Sequence, residues 1–169
     1  MDNLVLDIQF TNESTIEPVT LAEARSWLKL DVSDEDAIVT ELITTARQQC
    51  EGYLNISLIS RTITAWLEIG LGEIRLPYGP VKTVTSVSNN NGQLIEQFEL
   101  KYEVFKALDP CTEVKTVYEA GFNGKIPKHF KTAILEQTAW LYTNRGDAQQ
   151  TEALSPIAIK ILKPYRRVL

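Results

Sequence analysis

Histidine is almost missing from this sequence: His129 is the only one, beside two cysteines and a single methionine. Triads built on histidine and His-containing metal clusters need convergent donors that the chain does not have. His129, next to Lys128 and Phe130 in the first turns of a predicted helix, therefore reads as a surface residue with no catalytic role. Cys50, in a predicted helix, and Cys111, in a predicted loop, form no Cys-x-x-Cys pair and read as unpaired thiols of a reducing compartment. Phosphate loops are absent too. Gly70-Leu71-Gly72 and Gly79-Pro80 follow neither GxxxxGK[ST] nor GxGxxG spacing and read as turns. No apolar run approaches the roughly 20 residues of a membrane span. The opening Met1-Asp2-Asn3-Leu4 lacks the basic and apolar segments of an export signal, which places the chain in the cytoplasm. Asp34-Glu35-Asp36 is the densest carboxylate group, but consecutive helical residues point in different directions and cannot closely share one ion. The expectation is an enzyme-free chain: no catalytic residue, no cofactor and no metal.

What is present suits a folded domain. The chain has 169 residues, 44% hydrophobic and 23% charged, enough to bury a core as one domain spanning 1–169. Its net charge of −5 is unevenly spread: residues 1–54 carry −8, residues 55–120 carry −2 and residues 121–169 carry +5. An acidic front and a basic back suit a subunit that meets partners at two ends.

Local signals order the chain as two helices, a sheet and two more helices. After a loose opening segment, Thr20-Leu21-Ala22-Glu23 spells a capping box, and Leu21, Ala24, Trp27 and Leu28 form the apolar face of a short helix. Ser33 is an N-cap candidate for a long second helix, with Asp34, Glu35 and Asp36 at the positive end of its dipole. Its apolar side carries Ile38, Leu42, Ile43, Ala46, Cys50 and Tyr53, and Gly52 and Asn55 supply stop signals. From about residue 58 the composition turns β-branched: strands are predicted near Ile59–Leu67, Glu73–Pro77, Val81–Ser88, Tyr102–Phe105 and Val114–Ala120. Asn91-Gly92 supplies the two positive-φ positions of a type I′ turn and should fold the chain back along Leu94–Leu100. Pro127 opens a third helix with Phe130, Ile134, Leu135, Thr138, Leu141 and Tyr142 as its stripe. Ser155-Pro156 starts a short fourth helix, stopped by Pro164 and followed by a basic tail over 164–169. Trp27, Trp66 and Trp140 read as core packing. The cations Lys160, Lys163, Arg166 and Arg167 fit either phosphate or acidic-partner binding, or simple compensation of a helix dipole.

Taken in order, these blocks resemble the phage and prophage head-tail connector proteins, also called head-completion adaptors. Pro18-Val19-Thr20-Leu21-Ala22-Glu23-Ala24 with Trp27-Leu28-Lys29-Leu30 resembles the family's opening helix, and Asp34-Glu35-Asp36-Ala37-Ile38 the start of its second. Gly52-Tyr53-Leu54 and Leu58-Ile59-Ser60-Arg61-Thr62 resemble the passage into the sheet. Ile74-Arg75-Leu76-Pro77-Tyr78-Gly79-Pro80-Val81 is the most specific block. Tyr118-Glu119-Ala120-Gly121 and Trp140-Leu141-Tyr142-Thr143-Asn144-Arg145 resemble the closing passage.

The resemblance implies an α+β fold: a mainly helical core of about four helices (about 20–54 and about 127–163) with an antiparallel sheet (about 58–120) inserted between the pairs. It implies a structural virion assembly protein, found in the host cytoplasm during assembly and at the head-tail interface of the virion. Copies form a homo-oligomeric ring, about twelvefold, beneath the portal protein, above a tail-side adaptor or stopper protein, and around passing DNA. By the same resemblance Lys160, Lys163, Tyr165, Arg166 and Arg167 would reach the portal. Glu35, Asp36 and Glu41 would face the channel, where carboxylates keep phosphates from sticking. A rival reading is a small nucleic-acid-binding regulator that uses the basic residues 121–169. A carboxylate enzyme centred on Asp34–Asp36 is a third.

Overall fold

The computed structural model describes residues 4–69, 73–107, 113–122, 124–147 and 153–167. The elements in chain order are β1 (Leu4–Thr11), α1 (Leu21–Leu28), α2 (Asp36–Leu54), β2 (Arg61–Glu68), β3 (Glu73–Arg75) and β4 (Val81–Asn89). There follow β5 (Phe98–Lys101), β6 (Val104–Ala107), β7 (Glu113–Ala120), α3 (Lys128–Thr143) and α4 (Pro156–Leu162), which runs on into a 3-10 turn at Lys163–Tyr165. The described residues fall into two compact units: residues 4–14 with 59–122, and residues 15–58 with 124–167. The fold is thus α+β, with four helices and two antiparallel sheets among the described residues.

The β unit holds a four-stranded sheet in the order β1-β2-β7-β4 and a three-stranded sheet in the order β3-β6-β5. The segment expected to be a loose opening is strand β1, paired antiparallel with β2 from Leu4↔Glu68 to Thr11↔Thr62. The sheet is therefore not drawn only from the stretch between the helix pairs. A bulge between Val5 and Asp7 breaks the alternation of β1, which hides the strand from a search for period two. In β2 the pattern is regular, with Ile63, Ala65 and Leu67 buried and their neighbours half-buried. These residues join Leu76, Phe105 and Tyr118 in a buried apolar cluster of the β unit, and the helices bury their own set of Val39, Ile43, Ala46, Ile134 and Leu162. The Tyr118 hydroxyl donates to the Pro77 carbonyl at 2.7 Å, which satisfies its polar end inside that cluster.

Turn chemistry departs from expectation in an instructive way. Val81, Val84 and Val87 are spaced by three, yet they lie opposite Ala120, Tyr118 and Thr116, all buried, because β4 has a register shift between each pair. At Asn91-Gly92 only Gly92 has positive φ (78°); the loop closes with Gly92 N–H donating to Asn89 O (3.0 Å) and Asn89 N–H to Gln93 O (2.9 Å). That is a hairpin of a longer kind than type I′. The returning chain pairs only briefly, through the Ser88↔Leu94 bridge, before β5 joins the other sheet, so the strand expected over Leu94–Leu100 is cut short. Consecutive positive φ values, the mark of a type I′ turn, occur instead at Tyr102 (51°) and Glu103 (66°), between β5 and β6.

In the helical unit the capping box forms as read. Thr20 Oγ1 accepts from Glu23 N–H at 3.2 Å and the Glu23 carboxylate accepts from Thr20 N–H at 2.8 Å. The start of α2 differs: Glu35, not Ser33, is the N-cap, without a side-chain capping bond. The buried face of α2 is Val39, Ile43, Ala46, Cys50 and Leu54, a stripe rotated from the predicted one, leaving Ile38 45% exposed. Asn55 closes the helix in the left-handed conformation, while Gly52 sits within the helix with open space around it. Pro127 is the N-cap of α3. Ser155 caps α4 through its hydroxyl, which accepts from Ala158 N–H at 2.9 Å, with Pro156 at the first helical position. α4 ends at Leu162, just before Pro164, and the chain tightens into the 3-10 turn at Lys163–Tyr165.

Candidate functional site

The candidate site is the surface of the helical unit, where the predicted functional residues separate into two groups. The acidic group lies around the start of α2. Glu35 accepts hydrogen bonds from the Tyr142 hydroxyl and from Arg145 Nη1 at 2.7 Å. The Tyr142 hydroxyl first, then Arg145, hold its carboxyl below the usual range, and the same bond raises the Tyr142 phenol. The Arg145 guanidinium also lies over the Tyr142 ring, 4.2 Å from its centroid. Asp36 pairs with Arg25 at 3.4 Å, and its second oxygen is buried without a partner. Glu41, by contrast, is exposed, as are Asp31 and Asp34. Of the three predicted channel residues, two thus already carry a cation partner within the chain.

The basic group lies along α4 and the turn after it. Lys160 and Lys163 are exposed. The last described residues are not a free tail, because three interactions fasten them to the helices. The Tyr165 ring stacks on His129 with centroids 4.1 Å apart at 10°, Arg166 lies 5.1 Å above the Tyr53 ring, and Arg167 N–H donates to Leu54 O at 3.0 Å. His129, expected at the surface, is half-buried; its Nε2 is buried without a hydrogen-bond partner and its ring also meets Phe130 edge-on. Cys50 is buried within α2, and burial, reinforced by Glu51, pushes its thiol up to about 12. Cys111 lies outside the described residues.

Three features escaped sequence reasoning. Trp27, assigned to the core, is 44% exposed on α1. Arg47 is only 2% exposed, donating to Glu51 at 2.7 Å and to Glu17 at 2.8 Å, while Glu51 also accepts from Leu58 N–H at 2.6 Å. Burial alone would lower the Arg47 pKa, but the two carboxylates more than offset it and raise it. The i,i+4 spacing of Arg47 and Glu51 was visible, but their burial was not. Gln137, fully buried on α3, donates to Gln49 Oε1 (2.7 Å) and Ala153 O (3.2 Å) and accepts from Ser155 N–H (2.7 Å), which ties α2, α3 and the entry to α4 together. Between α3 and α4 runs a mainly apolar groove of ≈ 460 Å³, lined by Glu136, Ala139, Trp140, Thr143, Pro156 and Ile157 among others.

Among the described residues no group of three or more His, Cys, Asp or Glu could hold a metal ion, and no helix is long and apolar enough to cross a membrane. This surface carries exposed carboxylates at the start of α2, exposed cations on α4, and the apolar side chains of Trp27, Ile38 and Ile157 in solvent.

Comparison with known proteins sets this surface in context. The fold is similar to a chain of the virion of a native gene transfer agent particle, with 26% identity, 94% of this chain and 96% of that chain covered, and a TM-score of 0.69. It is similar to chains in the neck of the empty particle solved with C6 symmetry (23% identity, 97% and 98% covered, TM-score 0.70). A third similar chain is in the neck of the native particle with C12 symmetry (23%, 95% and 97%, 0.67). No curated protein matches. The profile of one family matches residues 18–166, nearly the whole of the described helices and sheets, and the chain belongs to that family, the phage gp6-like head-tail connector proteins.

Proposed function

We propose that this chain is a non-enzymatic ring subunit that sits beneath the portal of a phage-like particle and continues the DNA channel toward the tail. The observation that carries the proposal is the family match over residues 18–166, supported by a fold shared with neck chains of a particle solved with C6 and C12 symmetry. A ring of about twelve copies has heterologous contacts, each subunit meeting its two neighbours through different surfaces. The portal protein binds on one side of the ring and a tail-side adaptor or stopper on the other.

In this reading the C-terminal segment, from Lys160 and Lys163 to Tyr165, Arg166 and Arg167, faces the portal. Its anchoring on His129, Tyr53 and Leu54 presents the cations from a fixed turn. Glu35, Asp36 and Glu41 face the channel; because Arg145 and Arg25 offset the first two, Glu41 supplies most of the repulsion that keeps DNA phosphates from sticking. Assembly takes place in the host cytoplasm and the finished ring lies at the head-tail interface. The regulator reading is weaker, since two of the cations it would use, Lys131 and Arg145, are paired with Glu23 and Glu35.

The deciding experiment is the molar mass of the purified protein by light scattering across concentration, alone and with portal-bearing capsids. Rings, or a monomer captured at the portal vertex, are the expected result. A monomer indifferent to capsids that binds duplex DNA in low salt overturns it in favour of the regulator.

A further inference from the structure

Two surfaces of the helical unit are unfinished in complementary ways. The first is the corner from α1 into α2. It leaves Trp27 44%, Val32 64% and Ile38 45% exposed. Around them Asp31, Asp34 and Glu41 are exposed and have no cation partner among the described residues. The second is the outer side of α4. Ile157 is 55% and Ile159 36% exposed, Lys160 and Lys163 have no carboxylate partner among the described residues, and the apolar groove of ≈ 460 Å³ opens beside Pro156 and Ile157. α1 and α4 make no hydrogen bond or ion pair with each other among the described residues, so neither surface is completed by the other within one chain.

We infer that these two surfaces are the two halves of the contact between neighbouring copies: the α1–α2 corner of one copy docks on the α3–α4 groove of the next, with Trp27 in the groove and Asp31, Asp34 and Glu41 against Lys160 and Lys163. The inference rests on the ring reading and deepens it by naming the interface. Three arguments select a second copy as occupant. An exposed tryptophan beside an apolar groove large enough for an indole is the pairing of anchor and pocket that carries most of the energy in protein interfaces. The exposed charges beside the anchor are net negative, Asp31, Asp34 and Glu41 against Lys29, and those of α4 are the positive Lys160 and Lys163, with Glu136 of α3 the one carboxylate in the groove lining, so the attraction is between unlike surfaces and like surfaces repel. A ring needs two different patches on each subunit, which a self-complementary patch cannot supply. If α4 faces the neighbour, the portal contact narrows to Tyr165, Arg166 and Arg167, and Glu41 leaves the channel wall for the interface.

A charge swap tests it. Variant A carries Asp31→Lys, Asp34→Lys and Glu41→Lys; variant B carries Lys160→Glu and Lys163→Glu. All five positions are exposed, and far-UV circular dichroism confirms that both variants fold. In sedimentation velocity the wild type forms rings, while each variant alone, meeting like charge with like, associates at least about tenfold more weakly. An equimolar mixture of A and B restores rings, because A's corner is then opposite B's α4 and B's corner opposite A's. Wild-type-like rings from either variant alone, or a mixture that stays dissociated while the wild type associates, overturns the interface and leaves the ring standing. A wild type that stays monomeric at every concentration and on portal-bearing capsids overturns both.

Discussion

The β unit and the helical unit solve the problem of a core by different means. In the β unit the interior is mainly apolar side chains in register, with Ile63, Leu67, Phe105 and Tyr118 brought together by strand pairing and the exceptions handled locally, as by the Tyr118–Pro77 hydrogen bond and the pairing of buried Arg61 with Glu13 at 3.2 Å. In the helical unit the interior includes the buried Arg47–Glu51 pair and Gln137, whose bonds reach α2, α3 and the approach to α4. The first is held by shape and the second partly by polar groups that have no alternative partner once water is excluded. Shape-determined cores fail through crowding, and charge-containing cores fail when one partner is removed.

The sharpest break in the β unit is therefore steric. At Gly121, with φ of 103°, an added Cβ would lie 1.9 Å from the Ile59 carbonyl oxygen, a backbone atom that cannot step aside. Gly121→Ala should cost more than about 4 kcal/mol and leave little folded protein at room temperature, measured by urea denaturation. The corresponding break in the helical unit is electrostatic. Arg47→Ala removes the buried cation that pairs with the Glu51 carboxylate and should cost about 3–5 kcal/mol in the same assay. If Arg47→Ala instead costs under about 1 kcal/mol, the contrast between the two units fails.

Smaller effects sharpen the comparison at helix ends. Thr20→Ala removes half of the capping box and should cost about 1 kcal/mol at neutral pH. Glu23 is held below its ordinary value of 4.5, chiefly by the Thr20 backbone N–H, so its contribution is present above that value and lost as pH falls through the lower folded one. Thermal melts of the wild type and Glu23→Gln should accordingly differ at pH 7 and converge in acid. The smallest effect has the opposite sign. Gly52 lies in a helix interior with nothing within 4 Å of an added Cβ, so Gly52→Ala should stabilise the protein by about 0.5–1 kcal/mol, read as a raised melting temperature.

The sequence disclosed elements better than faces. The capping box, the Ser155-Pro156 start of α4 and the β-branched middle were legible because their signals are local. Strand β1 was hidden by its bulge, and the type I′ turn was sought at Asn91-Gly92 because Tyr102-Glu103 carries no glycine to announce it. Which face of a helix is buried depends on what packs against it, so Trp27 and Ile38 were assigned to the core and lie in solvent. For the candidate site, sequence located the basic residues of α4 and the acidic start of α2. It did not show that Arg25 and Arg145 already engage Asp36 and Glu35, since those pairings join residues 11 and 110 positions apart.

The helical unit is assembled from residues 15–58 and 124–167, with the strands β2–β7 lying between them in the chain. During synthesis α1 and α2 leave the ribosome well before their partners exist, and the stripe of Val39, Ile43, Ala46 and Leu54 must wait while the sheet is translated. At roughly 5–20 residues per second this interval lasts several seconds. The β unit has all its described strands once residue 120 has emerged, whereas the helical unit closes only after α3, α4 and the turn that seats Tyr165 on His129 have followed. The α3–α4 surface assigned to a neighbouring copy is therefore completed late, and a nascent chain cannot join a ring before α4 has emerged.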